Sequence, residues 1–251
     1  MRRFFVEPGN VDNHTAVIFG PEARHVKDVL RLRPGAKVVV FDGTGREYAA
    51  VIESCGRGEI RMSLLEERSG IPESRIRITL AVALVKGAKM DLVVRAGTEL
   101  GVAAFQPVPA SRSVPGKDRD KLAPRIERWE RIAIEAAKQC GRSAIPEVLP
   151  LAALESLPGA AEGFDVRILF HEKNRGPGVI LPRTEAPSSV YAVVGPEGGF
   201  APDEASWLLD NGFAAAGMGP RILRAETAAI AACVLLQTAY GDMGAPDGPH
   251  S

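Results

Sequence analysis

The chain has few cysteines, few aromatic residues and no excess of charge of either sign. Its 3 cysteines are odd in number and lie far apart, which argues against a disulfide scaffold and favours a reducing compartment. Its 31 basic residues equal its 31 acidic ones, so contact with a polyanion has to come from local patches. No Cys/His spacing is typical of a metal site, and no apolar run is long enough to cross a membrane. We therefore expect a cytoplasmic protein without a metal.

The sequence also lacks the two common glycine signatures of nucleotide-binding sites. The run "VYAVVGPEGGF", residues 190–200, has three glycines after an apolar stretch, but its spacing is neither G-x-G-x-x-G nor that of a P-loop. Glu197 lies in this loop, and Asp203 and Glu204 follow it, so a phosphate would compete with carboxylates. A ligand with an adenine, a ribose and a positive sulfonium, such as S-adenosylmethionine, fits this loop better than NAD or ATP. A tight strand-to-helix turn without a ligand is the alternative explanation.

Short β-strands separated by glycine turns dominate the first part of the chain. The predicted strands are residues 36–42, 46–54 and 59–68. Before them, residues 20–35 predict a short helix with basic residues outside and an apolar face of Val26, Val29 and Leu30.

A change of composition at "SGIPES", residues 69–74, marks the expected domain boundary. We predict a small β domain over residues 1–72 and a larger domain over residues 73–242. The tail, residues 243–251, is predicted to be disordered.

Longer units of strand, loop and helix alternate after the boundary, which predicts an α/β domain with a mainly parallel sheet. The predicted strands, the last three with their following loops, are residues 75–85, 103–108, 166–172, 190–199 and 213–223. The predicted helices are residues 89–102, 123–142 and 225–240. The middle helix has a predicted apolar face of Ile126, Trp129, Ala133, Ala136 and Cys140. Because ligands of open α/β sheets bind beyond the carboxyl ends of the strands, the last three loops are the expected site.

Several motifs, in their order along the chain, resemble those of a known family. They are "GPEARHVKDVLRLRPG", "KGAKMD", "TELGV", "SRSV", "EAAKQCGR", "LFHE", "VGPEGGF" and "MGPRILRAETA". Together they resemble the RsmE family of 16S rRNA uracil-N3 methyltransferases, in the SPOUT superfamily. The resemblance implies a PUA-like β-barrel domain that holds RNA and a SPOUT domain whose trefoil knot binds S-adenosylmethionine. It further implies a homodimer that acts on 16S rRNA within the small ribosomal subunit, with no role for DNA or a membrane.

The resemblance also assigns individual residues. Cofactor binding is expected from three loops, at Leu169, Phe170, His171, Glu172, Val194, Gly195, Pro196, Glu197, Gly198, Gly199, Met218, Gly219, Ile222, Leu223, Thr227 and Ala228. RNA contacts are expected from clusters rich in basic residues, at Arg2, Arg3, Arg24, His25, Arg31, Arg112, Arg128, Gln139 and Arg142. Solvated helix faces are the alternative reading of these clusters.

Two residues at the start of the last helix are the catalytic candidates. Arg224 would stabilise a uridine anion or grip a phosphate, and Glu226 would orient Arg224 or the cofactor. A capping and ion-pairing role is the alternative for both. Transfer to N3 requires loss of its proton, whereas transfer to C5 would require a cysteine nucleophile, and none of the cysteines suits that role. His171 is a candidate base, with hydrogen-bonded scaffold as the alternative.

Other classes of function remain open on sequence grounds. A nucleotide-dependent oxidoreductase lacks its glycine spacing here. A non-catalytic ribosome-assembly protein, or a SPOUT enzyme that methylates another base or a ribose 2′-hydroxyl, would carry the same motifs. One departure from the family pattern concerns the usual "KATELGV", where this chain has Ala96 in place of the lysine and Arg95 one position earlier.

Overall fold

The chain forms two compact units in a computed structural model that describes residues 1–85, 88–110, 122–171, 181–182 and 184–244. The first unit comprises Met1–Glu73 together with Ile134–Ile145. The second comprises Ser74–Ala133 and Pro146–Ser251. By its contacts, the segment 134–145 thus belongs with the N-terminal residues, although it lies far along the chain from them.

A five-stranded sheet forms the first unit, in the order β1-β3-β4-β5-β2. The strands are β1 (Arg3–Phe5), β2 (Thr15–Phe19), β3 (Lys37–Phe41), β4 (Glu47–Cys55) and β5 (Glu59–Arg68). β1 pairs with β3 in parallel, and the other pairs are antiparallel. Register shifts between β4 and β5 bend this hairpin and increase its twist. Alternate side chains such as Val38, Val40, Ile60 and Met62 fill the core on one face. The predicted small β domain is confirmed.

The predicted helix in residues 20–35 is shorter and less regular than its pattern indicates. Helix α1 (Gly20–Arg24) continues into a π-helical turn, His25–Val29. Val26 is buried, but Val29 is 66% exposed, so the predicted apolar face is wrong at Val29. The wider turn, closed by a hydrogen bond from the Leu30 amide to the His25 carbonyl, rotates Val29 away from the position that an α-helix would give it.

A buried polar network ties the segment 134–145 to the sheet of the first unit. Arg3 donates to Glu47 at 2.5 Å, and also to the Arg142 carbonyl and the Ser143 hydroxyl at 3.1 Å. Ser143 donates to the same Glu47 carboxylate at 2.9 Å. Arg142 forms an ion pair with Glu73 at 2.6 Å. Because one carboxylate accepts from both Arg3 and Ser143, the network is a cooperative cross-link between distant parts of the chain.

A six-stranded, wholly parallel sheet forms the second unit, in the order β11-β9-β10-β6-β7-β8. The strands are β6 (Arg77–Ala83), β7 (Ala104–Val108), β8 (Glu147–Val148), β9 (Val166–Phe170), β10 (Ser189–Val194) and β11 (Ala214–Ala216). All residues of β10 are buried, as expected for a strand covered on both faces. The predicted parallel α/β domain is confirmed. The implied knot concerns a chain path that includes residues 172–180, which lie outside the described residues.

Helices connect and cover these strands. They are α2 (Lys89–Glu99), α3 (Leu122–Cys140), α4 (Leu157–Ala160), α5 (Pro202–Asp210) and α6 (Ala225–Tyr240). α3 ends before Gly141, whose φ of 94° suits glycine. Of its predicted apolar face, Trp129, Ala133 and Ala136 are buried, whereas Ile126 and Cys140 are half-buried. Of the tail that is predicted to be disordered, residues 245–251 lie outside the described part of the chain.

Because α2 lies close to β7, we expect replacement of a helical glycine by alanine to destabilise the protein, although alanine has the higher helix propensity. A Cβ on Gly97 would lie 2.6 Å from Cε1 of Phe105, which is fully buried. We expect Gly97→Ala to lower the free energy of unfolding by about 1–3 kcal/mol because the ring cannot move without repacking. Gly159→Ala is the matched control, since that helical glycine has open space around its Cβ position. The control should gain about 0.4–1 kcal/mol. Urea denaturation of both variants tests this, and equal effects would contradict the steric argument.

The buried carboxylate of Glu47 predicts loss of stability in acid. Burial by itself raises the pKa of Glu47, but the hydrogen bonds from Arg3 and Ser143 outweigh burial and hold this pKa below its ordinary value of 4.5. A depressed carboxyl pKa contributes stability above the ordinary value that is lost as pH falls through the folded-state pKa. We expect the free energy of unfolding to fall less steeply below pH ~4.5 in Glu47→Gln than in the wild type. Unfolding measured at a series of pH values tests this, and identical slopes would rule it out.

Candidate functional site

The carboxyl ends of three neighbouring strands, β11, β9 and β10, meet at one edge of the parallel sheet. The loops that follow these strands enclose a cavity of about 320 Å³. Its lining residues are Phe170, His171, Val194, Gly195, Pro196, Glu197, Gly198, Gly199, Met218, Gly219, Arg221, Ile222, Leu223, Ala225 and Ala228. This is the position at which ligands bind in open α/β sheets.

Glycines shape the walls of this cavity at positions that disfavour other residues, through backbone conformation or through lack of space. Gly199 and Gly219 have φ values of 67° and 83°, in the left-handed region that favours glycine. A Cβ on Gly195 would lie 3.0 Å from Cδ2 of Phe200, which is itself buried. The loop after β10 therefore folds tightly over Phe200 and presents its backbone to the cavity.

The structure brings most of the residues predicted to bind a cofactor to this one cavity. Leu169 does not line it, because the alternation of β9 directs this side chain into the apolar core. Thr227 also lies outside the lining, and Glu172 is outside the described residues. Sequence reasoning missed Arg221 and Ala225, which line the cavity within the segment that the motif "MGPRILRAETA" had already singled out.

The acidic residues that follow the glycine loop in the sequence form interactions within the protein. Glu204 accepts a hydrogen bond from the Ala201 amide at 2.7 Å, so this carboxylate caps the first turn of α5. Asp203 lies in the same turn. These negative charges already complement the positive end of the helix, which supports the expectation that the loop does not bind a phosphate.

The catalytic candidates lie at the start of α6, directly after the cavity loop. Arg224 precedes the helix and is exposed, whereas the side chain of Glu226 is only 12% exposed. Within the described part of the chain, the ion pair of Glu226 is with Lys89, at 3.6 Å, and not with Arg224. Sequence reasoning assigned no role to Lys89, although it quoted the motif "KGAKMD" that contains it.

Lys89 also contacts the glycine loop. Its ammonium group donates a hydrogen bond to Glu197 at 2.7 Å. That hydrogen bond raises the pKa of Lys89, desolvation opposes this effect, and the charges of Glu197 and Glu226 raise the pKa further. One lysine therefore links the glycine loop with the first turn of α6.

Other candidates have simpler surroundings. His171 lines the cavity, is half-buried, and its backbone amide donates to the Ala216 carbonyl at 3.0 Å. At the position of the usual family lysine, Ala96 is half-buried in α2, and the neighbouring Arg95 is exposed.

Within the described residues, no group of three or more His, Cys, Asp and Glu side chains could hold a metal ion. None of the helices in that same part of the chain is long and apolar enough to span a membrane.

The residues predicted to bind RNA fall into two groups. Arg3 and Arg142 are engaged in the internal network of the first unit, and their guanidinium groups serve the fold. Arg128 has a largely exposed side chain, with an ion pair to Asp91 at 2.5 Å. The remaining described candidates, all exposed, are Arg2, Arg24, His25, Arg31 and Gln139. Arg112 lies outside the described residues.

Two family models match the chain, one in the region of the five-stranded sheet and the other in the region of the parallel sheet. A model described as RNA methyltransferase PUA domain matches residues 20–64, and one described as RNA methyltransferase domain matches residues 72–237. The Ribosomal RNA small subunit methyltransferase E of Mycobacterium bovis is 35% identical, covering 97% of this chain and 95% of the relative. The protein of the same name from Bacillus subtilis is 32% identical, covering 91% and 93%.

A solved structure shows the same relationship in three dimensions. The Ribosomal RNA small subunit methyltransferase E from Neisseria gonorrhoeae, bound to S-adenosyl methionine, superposes with a TM-score of 0.86 at 32% identity. The match covers 96% of this chain and 99% of that one. Sequence similarity and fold are shared along almost the whole length, and the chain therefore belongs to the RsmE family of RNA methyltransferases.

Proposed function

We propose that this protein transfers a methyl group from S-adenosylmethionine to N3 of a specific uridine in 16S rRNA, acting in the cytoplasm on the small ribosomal subunit. The observation that carries the proposal is the cavity at the carboxyl ends of β9, β10 and β11, with its glycine and apolar walls. The names of the relatives support an rRNA substrate, and the bound ligand of the Neisseria structure supports the cofactor.

The cavity residues fit S-adenosylmethionine by their chemistry. Backbone groups of Gly195 and Gly199 and apolar side chains such as Val194 and Leu223 suit an adenosine moiety. When bound, the cofactor supplies a methyl group on a positively charged sulfur. The residues that would hold it are the lining residues of the three loops.

Residues of the protein have to stabilise the negative charge that develops on the uridine. Loss of the N3 proton leaves an anion, which a fixed cation stabilises best when it is positioned before reaction. Arg224 adjoins the cavity residues Leu223 and Ala225 and is exposed, so its guanidinium can reach a base presented there. Glu226, mostly buried and held near Lys89, has the role of orienting the cofactor end of the site.

A cysteine nucleophile, which methylation at C5 would require, does not fit this site. Burial raises the pKa of Cys233 to about 12, so its thiol stays protonated. The cavity lining contains no cysteine among the described residues. Attack by a ring nitrogen that has lost its proton agrees with both observations.

RNA contact is assigned to both units, through the exposed Arg128 in the second unit and through several arginines in the first. The exposed residues Arg2, Arg24 and Arg31 of the first unit would bind phosphate groups, which gives affinity and position without sequence readout. Arg3 and Arg142 support this surface indirectly, through the internal network that holds the first unit together. We propose that the active form is a homodimer, as the family resemblance implies.

Replacement of Arg224 should separate catalysis from cofactor binding. We expect Arg224→Ala to lower kcat by about 10²-fold, the effect of removing one charged donor, with the Kd for S-adenosylmethionine unchanged. Single-turnover methylation and calorimetric titration measure the two quantities. Arg95→Ala, which removes an exposed arginine from α2, is the matched control and should keep full activity. An unchanged kcat in Arg224→Ala would remove this residue from the mechanism.

A pair of glycines tests whether the cavity holds the cofactor. Gly219 lines the cavity with a φ of 83°, and Gly163 lies outside it with a φ of 80°; a Cβ at either position meets open space. Alanine at either position should lower the free energy of unfolding by about 1 kcal/mol, because both substitutions strain the backbone in the same way. Only Gly219→Ala should also weaken S-adenosylmethionine binding, by about tenfold or more, since it narrows the site. Equal cofactor affinity in the two variants would contradict the assignment.

The reaction itself is tested with labelled S-adenosylmethionine and small ribosomal subunits that lack the modification. Mass spectrometry of the digested nucleosides should identify 3-methyluridine. A 2′-O-methylated nucleoside or another methylated base would replace the proposed target with another one. Cofactor binding without transfer to subunits or to free 16S rRNA would favour a non-catalytic role in ribosome assembly.

A further inference from the structure

One lysine connects three separate elements around the proposed cofactor cavity. Lys89 is the first residue of α2, the helix that follows β6. Its ammonium group lies 2.7 Å from Oε1 of Glu197, in the loop after β10 that lines the cavity. The same group lies 3.6 Å from Oε2 of Glu226, in the first turn of α6. That turn directly follows the loop 218–224, which also contributes to the cavity wall.

The position of Lys89 is not explained by the stability of its own helix. A cation at the first residue of a helix opposes the positive end of the macrodipole, so this placement is unfavourable for the helix itself. The first turn of α2 has an acid, Asp91, but Asp91 is paired with Arg128. Among the described residues, the ion pairs of Lys89 are with Glu197 in the loop after β10 and with Glu226 at the start of α6.

Glu197 and Glu226 share one ammonium group, which lies 2.7 Å from the first carboxylate and 3.6 Å from the second. The side chain of Glu226 is only 12% exposed, and its Oε2 has no hydrogen-bond partner among the described residues. Without a cation between them, the two negative charges repel each other, and repulsion is strong where one of them is mostly buried. Lys89 thus converts a repulsive contact between the loops into an attractive one.

We propose that Lys89 is a positioning residue that holds the loop after β10 and the start of α6 at the spacing required to bind S-adenosylmethionine. The inference rests on the proposed function, since it names a residue that organises the same site. Lys89 acts on the cofactor through Glu197 and Glu226. Removal of the Lys89 charge lets the loop after β10 and the start of α6 separate, so the affinity for S-adenosylmethionine falls. This loss of affinity does not depend on any change in RNA binding.

The test substitution, Lys89→Met, removes the positive charge and keeps an unbranched apolar side chain. Lys89→Met should raise the Kd for S-adenosylmethionine at least tenfold in calorimetric titration, whereas Lys89→Arg should stay near the wild-type value. Lys138→Met is the matched control, because Lys138 also bridges two carboxylates, at 2.8 and 2.9 Å, but in the first unit. The control should bind the cofactor like the wild type.

A second substitution separates repulsion from other effects of the mutation. In Lys89→Met, the additional change Glu197→Gln removes one of the two repelling charges, so it should restore part of the lost affinity. In the wild-type background the same Glu197→Gln should weaken binding or leave it unchanged. A gain in cofactor affinity that appears only when Lys89 is replaced is a coupling that general loss of stability does not produce.

Each remaining outcome decides between the inference and its rivals. A wild-type protein that fails to bind S-adenosylmethionine would overturn the proposed function itself. Unchanged cofactor affinity in Lys89→Met, with a lower melting temperature, would make Lys89 a purely structural residue and overturn the inference. Unchanged cofactor affinity with weaker binding of 16S rRNA would overturn it in favour of a direct phosphate contact.

Discussion

The alignment of three parallel strands is the constraint on which the site depends. Phe170, the last residue of β9, pairs in register with Val194 at the end of β10 and with Ala216 at the end of β11. The three strands therefore stop at one level, and the chain has to leave all of them from the same edge. Because β10 is buried along its whole length, a slip of register would disturb packing on both faces of the sheet. The packing of the sheet thus determines where the cavity loops start.

Electrostatics then determines how the loops are held. Among the described residues around the cavity, Glu204 caps α5, while Glu197 and Glu226 share Lys89. A phosphate ligand would find little attraction here, whereas a cofactor with a cationic sulfur is compatible with carboxylates nearby. The glycine loop is therefore better suited to a nucleoside with a positive charge than to a phosphate. The acids serve to fold the loops and do not oppose the ligand.

Arginines of similar appearance in the sequence have different physical roles in the structure. Arg3 and Arg142 both come from basic clusters, but they donate to groups within the first unit, among them Glu47 and Glu73. A buried guanidinium without such partners would be costly, so these two are part of the fold. Arg2, next to Arg3 in sequence, is exposed and available to a polyanion. Sequence spacing does not separate these cases, because the partner of Arg3 is 44 residues away in the chain.

The amino-acid sequence by itself determined the class of both folds, most elements of the second unit and the loops that line the candidate cavity, because these follow from local periodicity, glycine placement and motif order. Local patterns did not predict the short strands β1, β2 and β8. It did not indicate that Val29 would be exposed, since a π-helical turn depends on how the chain packs against the sheet. Nor did it assign Lys89, whose partners are 108 and 137 positions along the chain and meet it only through the strand order of the parallel sheet. Tertiary structure decided which charges pair, because ion pairs depend on distances in space, and local sequence contains no record of those distances.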